Sequence, residues 1–221
     1  MARTKLKKFD ELKFMNNVIQ PKRDELLNNE FKFKGKWHKK FKNSNPIVLE
    51  LGCGKGEYCI QLSKMYPHFN FIGIDIKGSR IYSGAKIALE ENRTNVLFVR
   101  AQIDLLSNLF SENEINEIWI TFPDPQIKYN RRNKRLTSNN FLKIYKSILS
   151  QGGCVNLKTD SLFLHGYTLG LLEAYNCQVH LSSADIYSLP KIDDRLKIKT
   201  YYEKMFLKEN LPISHIRFSF L

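Results

Sequence analysis

Several features that define whole protein classes are scarce or missing in this chain. Its four cysteines, Cys53, Cys59, Cys154 and Cys177, form no Cys-x-x-Cys pair, and its five histidines are scattered. Neither a disulfide scaffold nor a metal site is therefore expected. No stretch comes near the ~20 apolar residues that a membrane-spanning helix requires. The N-terminal run MARTKLKKFDELKF is charged throughout and lacks an apolar h-region, so no secretory signal is expected and a cytoplasmic location is the default. Acidic residues are few beside basic ones: 22 Asp and Glu against 35 Lys and Arg, a formal charge of +13. That excess points to a polyanionic partner, nucleic acid or a membrane surface.

The charge is also concentrated. Residues 1–44 hold thirteen Lys and Arg against five Asp and Glu, and a second cluster runs from Lys128 to Arg135. With 221 residues and 43% hydrophobic content, the chain is large and apolar enough for one domain with a buried core. Residues 1–44 read as a basic N-terminal arm with one short helix at most. Within it, FKFKGKWHKKFK alternates aromatic and basic residues, the pattern of an edge strand or of a segment ordered on RNA. Turn residues cluster from Asn43 to Pro46, so the main domain is taken as residues 45–221.

From Ile47 onward, short apolar runs alternate with helical patterns. IVLELG, FNFIGID, NVLFVRA, EIWITF, CVNLKTD, CQVHLSS and ISHIRFSF read as strands, with stretches such as EYCIQLSKMY and SRIYSGAKIALEEN as helices between them. This order predicts a Rossmann-like α/β fold: a mixed, mostly parallel seven-stranded sheet with helices on both faces and an antiparallel pair at one edge.

The run VLELGCGKG places Gly52, Gly54 and Gly56 between a strand and a helix. Glycine there lets backbone approach a ligand at the carboxyl end of the strand. Nineteen residues after Gly56 comes Asp75, where a carboxylate can bind both ribose hydroxyls of an adenosine group. The G-x-G-x-G spacing and Glu50 within the strand favour S-adenosylmethionine over a dinucleotide. A carboxylate at Glu50 would repel a pyrophosphate but suits a cofactor bearing a sulfonium and an ammonium. Adenine is expected at the end of the third long strand, against Gln102 or Asp104. Simple structural roles compete at Glu50, as a buried strand residue, and at Asp75, as a helix cap.

The fourth long strand ends in Thr121-Phe122-Pro123-Asp124-Pro125, a stiff turn that fixes a carboxylate's direction. Lys128, Arg131, Arg132, Lys134 and Arg135 follow without an intervening acid. A methyl donor beside a stiff carboxylate and a basic loop points to a nucleic-acid methyltransferase. The ordered set VLELGCGKG, FIGID, TFPDP with its basic continuation, NLKTD and TYYEKMFLKENLPI resembles the bacterial tRNA (guanine-N7-)-methyltransferases. The resemblance implies a class I S-adenosylmethionine-dependent fold and transfer of a methyl group to N7 of guanosine 46 in the tRNA variable loop. It further implies cofactor contacts at Glu50, Asp75, Gln102 and Asp124, the last also catalytic, and substrate contacts at Lys128, Asp160, Thr200, Tyr201, Tyr202 and Glu203. Arg131, Arg132, Lys134 and Arg135 are expected on the tRNA backbone. The chain departs from the family's usual pattern at Gln126 and Ile127, where Trp and Pro commonly stand. Asp160 could equally cap the following helix, and Thr200 with Glu203 fits the S/T-x-x-E capping box. Neither a monomer nor a homodimer is selected.

Overall fold

The computed structural model describes residues 2–221. Among them eight strands form one sheet: β1 (Val18–Ile19), β2 (Ile47–Leu51), β3 (Asn70–Asp75), β4 (Val96–Arg100), β5 (Ile115–Thr121), β6 (Leu149–Thr159), β7 (Cys177–Ser183) and β8 (Ser214–Phe220). Their order across the sheet is β1-β4-β3-β2-β5-β6-β8-β7. All pairings are parallel except those of β8, which runs antiparallel to both β6 and β7. The helices are α1 (Ala2–Leu12), α2 (Arg23–Leu27), α3 (Trp37–Phe41), α4 (Glu57–Met65), α5 (Gly78–Glu90), α6 (Leu106–Leu109), α7 (Asn139–Ile148), α8 (Leu162–Ala174) and α9 (Tyr201–Lys208).

The period of two along a strand sorts the core into two layers. Ile47, Leu49 and Leu51 of β2 join one cluster with Ile118, Ile120 and Leu142, whereas Val48 joins the other with Tyr58, Phe98 and Trp119. Strands covered on both faces need apolar residues on both, which is why β2 and β3 are buried along their whole length. In α7, Phe141, Leu142, Tyr145 and Ile148 are buried at helical spacing, giving the stripe that seats it on the sheet. The chain builds outward through β2, β3 and β4, then returns to place β5 on the other side of β2. That reversal opens a crevice at the carboxyl ends of β2 and β5, the switch point at which open α/β sheets hold ligands.

The sheet has one strand more than the seven expected. The eighth, β1, comes from the N-terminal stretch and pairs with β4 through Val18 and Ile19 only. Two residues carry no readable alternation. The aromatic and basic run also folds differently from either expected form. Phe31, Trp37 and Phe41 turn inward while Lys32, Lys36 and Lys39 stay exposed. Trp37 stacks on Phe110 at 5.3 Å between ring centroids and donates its indole N–H to the Leu109 carbonyl at 3.1 Å. Burying these large rings outweighs any extended alternation, and Trp37 and Phe41 lie four apart on one face of α3. Among the described residues no helix is long and apolar enough to cross a membrane.

Candidate functional site

Glu50 faces α4 from β2 and is 2% exposed. Its Oε2 accepts the backbone N–H of Cys59 at 3.0 Å, and its Oε1 accepts the Thr121 hydroxyl at 2.9 Å. Both donors are neutral, and no cation pairs with this carboxylate among the described residues. Burial pushes its pKa up to about 7. A carboxylate held this deep without a counter-charge is costly unless a cation arrives.

The glycine turn follows directly. Gly52, Gly54 and Gly56 all have positive φ, at +72°, +55° and +72°. Their reasons differ. At Gly56 a Cβ would stand 2.5 Å from the Phe98 ring, so packing forbids a side chain. At Gly54 a Cβ would meet only the Gly52 carbonyl, at 4.0 Å, so the backbone there borders open space. The Gly52 and Cys53 N–H groups both donate to the Ile74 carbonyl, which ties the turn to β3. Asp75 continues the tie: Oδ2 accepts the Gly54 N–H at 2.9 Å and Oδ1 the Lys77 N–H at 2.8 Å. The N-cap position of α5 belongs to Lys77, so Asp75 braces the loop instead of capping the helix. A carboxylate has about four lone-pair sites, which leaves two for a ligand.

Two hollows meet at Gly52. One, of about 210 Å³, is lined by Glu50, Thr121, Phe122, Thr200, Tyr201 and Tyr202 together with the glycine turn and the charged residues Lys55, Glu57 and Arg80, neither of these cations pairing with Glu50. The other, of about 620 Å³, is lined by Asp75, Gln102, Asp104, Leu136 and Phe141 among others. Together they make a crevice with a carboxylate floor at one end and a ribose-type carboxylate at the other. Gln102 and Asp104 both face it. The Gln102 Oε1 accepts from the Arg23 guanidinium, while Asp104 is exposed.

Beyond Thr121 the backbone is strained. Phe122 and Gln126 hold φ of +49° and +47°, rare for residues with side chains. Asp124 sits between them, exposed, its Oδ1 accepting the Gln126 N–H at 3.0 Å. It is not among the residues that line either hollow. The Gln126 side chain turns inward with its Oε1 buried and unpaired. Lys128 and Arg131 face solvent, Lys134 is exposed at the edge of the larger hollow, and Arg132 stacks on Tyr129 at 4.2 Å. Arg135 departs from the backbone-binding role expected of it. It is 5% exposed, lies over the rings of Phe163 and Tyr167, and donates to the carbonyls of Gln126 and Ile127. Its guanidinium is spent on holding the loop's shape.

The C-terminal residues divide in the same way. Ser161 caps α8 by accepting the Leu164 N–H, which leaves Asp160 without a capping task; partial burial raises its pKa. Thr200 caps α9 as expected, accepting the Glu203 N–H at 3.3 Å. Glu203 does not return the bond, nor does it reach the crevice as expected of a substrate contact. It is fully buried, 2.8 Å from Lys158 Nζ, and accepts the Tyr187 hydroxyl at 2.7 Å. Lys158 Nζ spends its other two protons on the carbonyls of Leu196 and Ile198. This anchor seats α9, whose first residues Tyr201 and Tyr202 overhang the crevice. The Tyr201 N–H donates to Glu57 at the start of α4, and Lys55 lies over the Tyr201 ring.

Sequence reasoning passed over Thr121, Arg23 and Lys158. For Lys158 a signal existed, a lysine inside an apolar strand. For Arg23 there was none, since its partner lies 79 residues away.

A family model described as a putative methyltransferase matches residues 44–216. The tRNA (guanine-N(7)-)-methyltransferase of Christiangramia forsetii is 52% identical, with 98% of both chains covered. That of Bacteroides fragilis is 44% identical across 99% of this chain and 86% of its own. Among solved structures, the 16S rRNA methyltransferase KamB matches with a TM-score of 0.63 at 12% identity, covering 83% of this chain and 91% of that one. The geranyl diphosphate C-methyltransferase of Streptomyces coelicolor, solved with S-adenosyl-L-homocysteine, matches with a TM-score of 0.53 at 13% identity over 79% of this chain and 69% of that one. At such identities these two show a shared fold.

Proposed function

This chain belongs to the tRNA (guanine-N(7)-)-methyltransferase family, and from that premise we propose that it methylates N7 of guanosine 46 in the variable loop of tRNA, in the cytoplasm, with S-adenosylmethionine as donor. The observation that carries the cofactor is Glu50, a buried carboxylate with only neutral partners beside an open glycine turn. When bound, S-adenosylmethionine supplies an electrophilic methyl group on a sulfonium. Glu50 favours a cationic group at its end of the crevice, and a cation in turn favours ionised Glu50. Asp75 would accept ribose hydroxyls with its remaining lone pairs, Gln102 would meet the adenine, and Asp124 would contact both the cofactor and the base.

Guanine N7 carries a free lone pair and no proton, so no general base is required. The residues' work is alignment and the stabilisation of charge. Methylation makes the ring cationic and its N1–H more acidic. A carboxylate accepting from N1–H and the 2-amino group therefore binds the transition state more tightly than the ground state. Asp124 takes that role, with Asp160 assisting and Thr200, Tyr201 and Tyr202 shaping the entrance. Lys128 meets the substrate from the loop, and Arg131, Arg132 and Lys134 meet phosphates.

Incubation with unmodified tRNA and radiolabelled cofactor, followed by borohydride–aniline cleavage, tests the reaction. Scission at guanosine 46 is expected; label incorporated without scission would place the methyl group on another atom. Asp124→Asn should lower kcat by ~10²-fold, the scale of one lost transition-state hydrogen bond to a charged group. An unchanged kcat with only weaker cofactor binding removes Asp124 from the chemistry.

A further inference from the structure

We propose that Arg23 fixes the orientation of the Gln102 side-chain amide, so that Gln102 and Asp104 together read the cofactor's base as adenine and reject its deaminated form. This rests on the cofactor assignment made above.

A guanidinium has donors only. The group of Gln102 that meets Arg23 Nη1 must therefore be its oxygen. Which way round a glutamine amide points is usually ambiguous, but a donor-only neighbour removes the ambiguity. Arg23 opens α2 and lies outside the crevice lining, whereas Gln102 and Asp104 both belong to it. The amide's NH₂ is thus the branch left for a ligand.

Adenine offers an acceptor at N1 and a donor at N6. An NH₂ group suits the first. Asp104, two residues on and exposed at the same hollow, is acceptor-only when ionised and suits the second. Hypoxanthine inverts both positions, with a donor at N1 and an acceptor at position 6. It would set N–H against N–H and oxygen against oxygen. A glutamine free to rotate could turn its oxygen toward the N1–H and lose half of that discrimination. Arg23 is therefore a positioning residue: it acts through Gln102 and needs no contact with the cofactor. Part of the N-terminal segment's basic charge then serves the cofactor and not the RNA.

The full-length protein is titrated calorimetrically with S-adenosylhomocysteine and with S-inosylhomocysteine, its deaminated counterpart. Wild type should prefer the adenine form by ~100-fold or more, the scale at which sites that hydrogen-bond a polar edge reject its mismatch. Arg23→Met should cut that preference by ~10-fold, the value of about one hydrogen bond, while S-adenosylhomocysteine affinity changes by no more than about 3-fold. Arg23→Lys, which still donates, should retain the preference. Asp104→Asn, whose amide can face either base, should cut it independently. Equal weakening of both ligands by Arg23→Met, or an unaltered preference, overturns the proposal. Should Arg23→Met fail to fold, Gln102→Leu removes the same reader, and an unaltered preference in that variant overturns it too. Failure of wild type to bind S-adenosylhomocysteine at all would instead overturn the cofactor assignment.

Discussion

Two buried carboxylates lie in the two regions that meet at the crevice. Beneath α9, Glu203 is fully enclosed and answered by Lys158 at 2.8 Å. Under the glycine turn, Glu50 is almost as deep, but only a backbone N–H and a hydroxyl answer it. The cost of removing a charge from water is similar in both places. In one it is offset within the chain, and the result is an anchor. In the other it is left open, and the result is a demand for an external cation. The basic loop repeats the contrast in cations. Arg135 is committed to ring faces and carbonyls, while Lys134 beside it is exposed. A charge satisfied internally builds the site, and a charge left unsatisfied recognises something.

The largest effect should come from breaking the satisfied pair. Lys158→Met leaves Glu203 buried and unpaired and frees two carbonyls, so it should cost about 3–5 kcal/mol of folding stability in urea denaturation. A loss below about 1 kcal/mol would mean that this pair is not an anchor. Next comes the unsatisfied one. Glu50→Gln should fold normally yet bind S-adenosylmethionine ~30-fold more weakly, roughly 2 kcal/mol, as measured by calorimetry.

Its pH dependence has a definite sign. Glu50 in the free protein ionises near pH 7, and a bound cation favours the ionised form, so binding should tighten as pH rises through about 7 and then level off. Glu50→Gln should remove that rise. Persistence of the rise in the variant would assign it to another group and erase the contrast with Glu203.

The smallest effect separates the loop's cations. With Lys128, Arg131, Arg132 and Lys134 on phosphates, log K for tRNA should fall against log salt with a slope of about −2.8 to −3.6, taking ~0.7–0.9 per contact. Lys134→Ala should flatten that slope by roughly one contact's share, and Arg135→Ala should weaken binding without flattening it. Equal flattening by both would show that Arg135 also meets phosphate.

Much of the site was legible because it is local. The glycine turn, Glu50 before it and Asp75 at the next strand end lie within one strand–turn–helix–strand unit, whose geometry follows from chain stiffness and φ preferences. The Thr200 cap is local too, and its S/T-x-x-E signature was right about the threonine. Glu203 was misplaced because the same signature says nothing about a lysine 45 residues earlier that binds it more strongly. Arg135 was misplaced because five cations in a row look alike until Phe163 and Tyr167, from a different helix, cover one of them. The N-terminal stretch was read by its charge; its aromatics, which fill the core beside Phe110, decided its fold.

The sequence by itself determined the alternation of strands and helices from Ile47 onward, the nucleotide-type turn and the excess of basic charge, because periodicity, backbone freedom and composition act over a few residues. Tertiary structure alone decided which charges are answered from within the chain. That choice depends on contacts between distant segments and on how much water each group keeps. It separates Glu203 from Glu50, Arg135 from Lys134, and Arg23 from the other cations of its segment.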